Sequence, residues 1–583
     1  MRGGLAILNR IIRVNVRTYE IVEKKASEEE VRIGGRHFIA HLLSSEVPPT
    51  CEPLGRHNKL VVSMGLFADT GVSTAGQLSI GGKSPLTGGV KESNSGGYAG
   101  RRIARLGIKA IIFEDLPDKE ETRVLVVSKK GIELVDMPQL RFKPVSETFD
   151  LLRSKFGENK GLICIGPAGE MKMHGAGVAC ASDDKIQVRY AGRGGLGAVM
   201  GSKGVKAIVV DDYGALPAKH HDAALLRETS KKIAAALKED PKSKNRKLYG
   251  TLDIMDMANS IGILPTRNFS KGSFEPAKEW TGPKFVETVS QRGGVGASGK
   301  PCAPGCTIQC SNVFPYADGT RIVASIQYES IALLGSNLEI PNLDDIGELN
   351  NLCNEVGVDT IETGAALGIA MEAGVCSFGD AEGAKQMIRE IGRGTPLGRI
   401  LGNGAAFAGQ AFGIRRVPAA KGQAMPGYDP RALKGNGVTY VTSNMGADHT
   451  SGNCFETART NNPLGRENQV YNSRQIQVRA AILDTIGLCL FIRPAFVRYP
   501  KLLTDLFRAA LGWDMEFAEV RKLGERILDI ERMFNERAGV SEKFKPLPEY
   551  MREEPLPPNN TVFDITEEEM QAIWDVPVNY EVF

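Results

Sequence analysis

The chain lacks any run of about 18 apolar residues, so no membrane-spanning helix is expected. No leader is expected either. The start, Met1-Arg2-Gly3-Gly4-Leu5, soon reaches Arg10, Arg13 and Arg17 with no apolar core or small-residue cleavage site between them. Charge of one sign is missing too. Lys plus Arg is 72 and Asp plus Glu is 69, a net charge of +3, and no basic, aromatic-interleaved stripe suggests nucleic acid. A disulfide framework is absent: the ten cysteines are scattered irregularly apart from one tight group. That usage fits a metal-binding set in a reducing compartment, and a cytoplasmic protein is expected. What remains is an ordinary globular balance, 42% hydrophobic and 24% charged over 583 residues, with room for about two to four domains.

The first 212 residues read as β-rich. Ile11-Ile12-Arg13-Val14-Asn15-Val16 with Tyr19-Glu20-Ile21-Val22 predicts a hairpin, and Thr122-Arg123-Val124-Leu125-Val126-Val127 with Ile132-Glu133-Leu134-Val135 predicts another. An internal repeat carries more information. Ser95-Gly96-Gly97-Tyr98-Ala99-Gly100 leads through a short helical stretch to Gly107-Ile108-Lys109-Ala110-Ile111-Ile112-Phe113. Arg193-Gly194-Gly195-Leu196-Gly197-Ala198 leads at nearly equal spacing to Gly204-Val205-Lys206-Ala207-Ile208-Val209-Val210. Two copies of a glycine turn, helix and buried strand predict one domain with pseudo-two-fold symmetry, presenting two turns to one ligand or to two similar ones. Helical periodicity follows, as in Leu502, Leu503, Leu506, Phe507 and Leu511, or Val520, Leu523, Ile527, Ile530 and Phe534 before Gly539. The fold class is therefore α+β: a double-sheet domain over residues 1–212, then two mainly helical domains over 213–417 and 418–583. The Gly- and Pro-rich residues 418–430 read as a linker between the helical domains, and residues 546–558 as a tail wrapping the surface.

Pro301-Cys302-Ala303-Pro304-Gly305-Cys306-Thr307-Ile308-Gln309-Cys310 places three thiols within nine residues. Pro304 and Gly305 prevent a regular helix, so the backbone can curl and aim the sulfurs inward. Three soft ligands suit an iron–sulfur cluster completed by a distant cysteine. A structural zinc site is the alternative, although zinc prefers paired C-x2-C knuckles. Two further segments share a shape: Asn354-Glu355-Val356-Gly357-Val358-Asp359 and Asp484-Thr485-Ile486-Gly487-Leu488-Cys489. Each predicts a helix ending at a left-handed glycine with a polar residue at the start of the turn. Asp359 is equally readable as the N-cap of the next helix, and Cys489 is a natural fourth ligand for the triplet.

Together with Gly82-Lys83-Ser84-Pro85-Leu86-Thr87-Gly88, Asn94-Ser95-Gly96-Gly97-Tyr98, Gly192-Arg193-Gly194-Gly195-Leu196-Gly197, Tyr328-Glu329-Ser330, Tyr428-Asp429-Pro430-Arg431 and Ala510-Leu511-Gly512-Trp513, these motifs stand in the order seen in aldehyde:ferredoxin oxidoreductases. The chain resembles that family over essentially its whole length. The resemblance implies a tungsten (or molybdenum) bis-pyranopterin whose phosphates share Mg2+, and one [4Fe–4S] cluster. Glycine turns that let backbone N–H groups approach phosphate agree with this. Carried over residue by residue, Asn94, Gly96, Arg189, Tyr190 and Gly192 contact the pterins and magnesium. Asn354, Val358 and Asp359 hold one pterin, and Asp484 and Leu488 the other. Cys302, Cys306, Cys310 and Cys489 hold the cluster. His449, the only histidine after residue 221, and Glu329 match the acid–base pair at the metal's open face.

The implied reaction oxidises an aldehyde to a carboxylate, with electrons leaving through the cluster to ferredoxin or a small iron–sulfur subunit. A homodimer or hetero-oligomer is implied as well. The alternatives are a reductive enzyme of the benzoyl-CoA reductase type and a non-catalytic iron–sulfur electron-transfer subunit. The sequence also departs from the family pattern. The triplet is C-x3-C-x3-C rather than C-x2-C-x3-C, a phosphate-facing arginine is Gln77, and the Asp opening the first glycine turn is Asn354. Met445 and Ser451 replace basic residues flanking His449. Asn351 stands where a metal-bridging E-x-x-H pair beginning at Glu348 would need histidine, and the C-terminal extension is shortened after Pro558.

Overall fold

The computed structural model describes residues 8–182, 185–540 and 547–579. Twelve strands form two six-stranded sheets in the N-terminal part. They are β1 (Arg10–Asn15), β2 (Ile21–Lys25), β3 (Leu60–Met64), β4 (Leu78–Lys83), β5 (Val90–Ser95) and β6 (Ile108–Glu114) in the first sheet. The second holds β7 (Arg123–Ser128), β8 (Gly131–Asp136), β9 (Gly161–Cys164), β10 (Val178–Ala181), β11 (Val188–Ala191) and β12 (Val205–Asp211). Both expected hairpins are present, as β1–β2 and β7–β8.

The two sheets have one topology. Their orders are β2-β1-β6-β3-β4-β5 and β8-β7-β12-β9-β10-β11, so adding six to each strand of the first yields the second. In each sheet one pair is parallel, β1–β6 and β7–β12, and the remaining neighbours are antiparallel. The period-2 pattern explains the layering. Ile12 and Val14 of β1 join Ile208 and Val210 of β12 in a core between the sheets. The opposite faces carry Ile11 and Val61 under helix Gly35–Glu46, and Val124 and Val209 under helix Val145–Phe156. The repeated short helices, Ala99–Arg105 and Leu196–Ser202, lie between the sheets. Edge strands β5 and β11 come together at the junction.

The pseudo-symmetry extends to the helical part. Helix Leu343–Val356 ends at Gly357 with φ +80°, and helix Gln469–Ile486 at Gly487 with φ +75°, as the sequence predicts. Val358 bridges to Ala176 just before β10, and Leu488 bridges to Ala75 just before β4. Backbones touch at both places. A Cβ on Gly65 would lie 2.3 Å from Gly487 Cα, and one on Gly166 would lie 2.3 Å from Val356 O. Each glycine-turn motif is thus seated on one half of the duplicated domain. Close approach is the reason for glycine on both sides of each contact.

Two expectations need correction. Residues 418–430 are not an exposed linker. Ala419–Ala420 and Gln423–Ala424 form a short hairpin, and Ala424, Met425 and Tyr428 are buried in the helical core. Glycine and proline serve close packing there: Gly427 donates its N–H to Glu329 Oε2 at 2.7 Å. The described part of the tail does not merely cover the surface either, because Leu547, Tyr550, Met551 and Leu556 enter the same core; residues 541–546 lie outside the described residues. Among the described residues, no helix is long and apolar enough to cross a membrane.

Candidate active site

A cavity of about 250 Å³ lies where β5 meets β11, roofed by the two glycine-turn motifs. Of the ten residues expected at the pterins, eight line it: Asn94, Arg189, Tyr190, Gly192, Asn354, Val358, Asp359 and Asp484. Leu488 is buried against the sheet domain through its bridge to Ala75. Gly96 faces the cysteine loop, where an added Cβ would stand 3.3 Å from Cys302 O.

The side chains crossing this cavity are held by burial and charge. Asn94 donates to Asp484 Oδ1 at 2.9 Å. Burial pushes Asp484 up to about 6 even though Arg36 lies 3.2 Å from its other oxygen. Arg36 is fixed by Glu531 through bonds of 2.7 and 2.8 Å. Tyr190 donates its hydroxyl to Asn354 O at 2.5 Å. Arg189 reaches Ser325 Oγ at 3.2 Å and also Ser311, while its buried Nε has no partner among the described residues. Asp359 does cap the next helix, accepting from Ile361 N at 3.0 Å, and its second oxygen takes Arg193 Nε at 3.1 Å. Capping and cavity lining are therefore one side chain's work.

The four expected ligands gather beside this cavity. A hydrogen bond with Cys306 is the main cause that lowers the Cys302 thiol to about 6, and the same bond pushes Cys306 up. Burial raises Cys310 to about 11 and Cys489 further, and each feels the charge of Cys302. The loop is pinned by Gly97 N to Cys302 O at 2.9 Å and by Thr307 N to Ser73 Oγ at 3.0 Å. Gly305, at φ +73°, supplies a left-handed turn within it.

On the other side, Glu329 Oε1 lies 3.5 Å from His449 Nε2. Glu329 opens helix Tyr328–Leu334, and burial raises its pKa. Among the described residues, its Oε1 and His449 Nδ1 have no hydrogen-bond partner. Tyr428 packs against the imidazole with centroids 5.7 Å apart. Asp448, next to His449, is buried; burial alone would raise its pKa, but Lys91 at 2.6 Å and Arg193 hold it well below the usual range. A second cavity of about 450 Å³ starts at Tyr328, Glu329 and His449 and leads outward.

The model of the aldehyde ferredoxin oxidoreductase N-terminal domain matches residues 11–212, and the model of domains 2 and 3 matches residues 228–574. The chain is 33% identical over 578 residues to the tungsten-containing aldehyde ferredoxin oxidoreductase of Pyrococcus furiosus, covering 94% of this chain and 92% of that one. It belongs to the aldehyde ferredoxin oxidoreductase family. The counterpart in Thermococcus kodakarensis is 33% identical over 576 residues, with the same coverage of 94% and 92%. A WOR-like subunit of an aliphatic sulfonate oxidoreductase from Pyrococcus furiosus is 26% identical over 497 residues, 76% of this chain and 74% of that one. The fold is shared with the active-site complex BamBC of benzoyl coenzyme A reductase in complex with 1,5-dienoyl-CoA. That match has a TM-score of 0.78 and 17% identity, and covers 99% of this chain and 94% of that one.

Family membership makes the chain an oxidoreductase, and it sharpens what motif reading overlooked. Arg193 stands inside a quoted glycine motif, yet its role emerges only from its bonds to Asp359, Ala447 O at 2.5 Å and Ala424 O at 2.6 Å. Arg36, Lys91, Asp448 and Glu362 carried no motif signal at all. Glu362 is wholly buried, is pushed by burial up to about 7, and accepts from Ala405 N and Ala424 N at 2.9 Å each. Gln77 stands just before β4, and a cation beside the second glycine turn comes instead from Arg36, 3.2 Å from Asp484 Oδ2.

Proposed function

We propose that this chain is the catalytic subunit of a tungsten bis-pyranopterin enzyme that oxidises an aldehyde to its carboxylate and passes electrons through one [4Fe–4S] cluster to ferredoxin or a partner iron–sulfur subunit. One observation carries the reading. A single cavity on the pseudo-two-fold is lined by eight of the expected pterin contacts, with the cysteine group on one side and Glu329 with His449 on the other. A ligand with two similar halves suits a site built from two similar halves. The buried Nε of Arg189, unpartnered among the described residues, and the guanidinium groups of Arg36 and Arg193 suit the phosphates.

Four cysteines brought together, three of them on one Pro-Gly loop, suit the four thiolate ligands of a [4Fe–4S] cluster. Cys302, Cys306, Cys310 and Cys489 would hold the cluster, and Asn94, Gly96, Arg189, Tyr190 and Gly192 would meet the pterins and their magnesium. Asn354, Val358 and Asp359 would hold one pterin, and Asp484 with Leu488 the other.

The reaction is RCHO + H2O → RCOO− + 3H+ + 2e−. When bound, the tungsten pterin supplies a two-electron acceptor and the cluster a one-electron exit. The protein's own share is proton handling and positioning. Ionised Glu329 can take a proton from water or the hydrated carbonyl, and His449 can hold or return one at Nε2, 3.5 Å away. The Gly427 N–H keeps Glu329 turned so that Oε1 stays free for this. The Lys91–Asp448 pair and the bond from Arg193 to Ala447 O fix the backbone immediately before His449. The test is elemental analysis with an aldehyde screen using a viologen acceptor. About one tungsten and four irons per chain, with aldehyde-dependent dye reduction, are expected. Iron without tungsten, or turnover of an aromatic CoA thioester but no aldehyde, would overturn the reading.

A further inference from the structure

The outer cavity is apolar and aromatic at its inner end, where Tyr428 packs on His449 and Phe455 on Tyr428, but basic further out. Its wall carries four guanidinium groups, Arg246, Arg459, Arg479 and Arg493, against only two carboxylates, Asp253 and Glu456, outside the Glu329–His449 pair. We propose that this vestibule is an anion site, which binds the oxyanionic far end of the substrate while its aldehyde end reaches Glu329 and His449. This rests on the aldehyde-oxidising reading above and names the substrate class: small aldehydes that also carry a carboxylate or phosphate.

Charge accounting in the wall supports it. Glu456 is shared, accepting ion pairs from both Arg479 and Arg493, whose side chains are 10% and 23% exposed. Two guanidiniums withdrawn from water around one carboxylate leave an excess positive charge. Arg246 pairs with Asp253 at 3.1 Å and is close enough to Arg493 to repel it; burial first, and Arg246 second, lower Arg493 to about 10. Arg459, exposed at the same rim, has no ion-pair partner among the described residues. Like charges crowded along a cavity wall are stabilised when an anion sits between them. The donors are also pre-set, since Arg246 lies over the Phe491 ring at 4.4 Å. A guanidinium fork matches the two oxygens of a carboxylate or phosphate, so the anchor would select direction as well as charge. A neutral aldehyde of the same length would meet the aromatic inner wall but leave the rim unmatched.

The test compares kcat/KM of the holoenzyme for 4-oxobutanoate against butanal, and for glyceraldehyde 3-phosphate against glyceraldehyde. At least one anionic member should be preferred by about tenfold or more, and which one tells carboxylate from phosphate. Arg459→Gln should raise KM for the preferred anionic aldehyde about tenfold more than for its neutral partner. Equal kcat/KM within both pairs would overturn the proposal. Equilibrium dialysis of succinate and of inorganic phosphate against the holoenzyme separates this from the parent reading. If no aldehyde is oxidised, the aldehyde reading falls, yet saturable binding weakened by Arg246→Gln and by Arg459→Gln would still support the anion site. No saturable binding, or binding indifferent to both variants, would sink it.

Discussion

Lys385 places its ammonium 2.6 Å from Glu348 Oε2, and the same nitrogen reaches Asp345 and Glu382 at 2.7 Å each. These three carboxylates are the one group among the described residues that brings three candidate metal-ligand atoms within 4.8 Å. A side-chain cation already occupies the point where they converge and offsets one of their three charges. Asn351, where a bridging motif would need histidine, offers only a weakly ligating amide. Any dimer of this protein is therefore expected to contain no metal bridging its subunits at Glu348. Anomalous scattering at the iron edge checks this, and a peak coordinated by Glu348 on a molecular two-fold would contradict it.

Replacing one thiolate should remove the cluster. Cys302→Ser and Cys489→Ser should each lose the reduced-state EPR signal and about four irons per chain. Cys302 sits under the backbone at Gly96, and Cys489 ends the second glycine turn, so the two variants probe opposite sides of the site. An unchanged signal in either, or stoichiometric zinc in the wild type, would refute the ligand set.

Glu329→Gln or His449→Asn should cut turnover by about 10²-fold or more while tungsten stays bound. The pH dependence has a definite sign. Burial raises Glu329 above the ordinary carboxylate value of 4.5, and a proton acceptor must be ionised. So kcat/KM should climb with pH through that raised value, and the climb should vanish from the residual activity of Glu329→Gln. A wild-type limb centred at or below 4.5, or near-normal activity in both variants, would count against the mechanism.

The glycine turns can be probed by a comparison of three alanines. Gly487, Gly357 and Gly539 all have positive φ, of +75°, +80° and +72°. Alanine costs each of them about 1 kcal/mol of backbone strain. A Cβ at Gly487 would also stand 2.9 Å from Gly65 Cα and one at Gly357 2.7 Å from Gly166 N, whereas one at Gly539 meets nothing within 4 Å among the described residues. Gly487→Ala and Gly357→Ala should lower Tm clearly more than Gly539→Ala and reduce tungsten content. Equal shifts for all three would mean that the contact between the turns and the sheet domain is not tight.

Much of this was legible in the chain because it is local. Pro304 and Gly305 between cysteines, alternating apolar residues in Ile11-Ile12-Arg13-Val14, and a helix closing at Gly357 or Gly487 each announce themselves within a few residues. The repeat around Gly96 and Gly194 was legible for the same reason, and it predicted the duplicated topology. Other features had no local signature. Residues 418–430 look like a linker because glycine and proline mark both loops and close packing, and only the neighbours, Glu329 above all, decide which applies.

Arg36 meets Asp484 across 448 positions, and Lys91 meets Asp448 across 357. A single buried charge is an ordinary residue in the sequence. It becomes part of a site when the fold removes water from it and delivers its partner. The sequence by itself determined the elements, their duplication and the candidates for holding a metal or carrying a proton. Only the tertiary structure decided which charges face one another, because in a low-dielectric interior each must find a counter-charge and chain order does not say where it will come from.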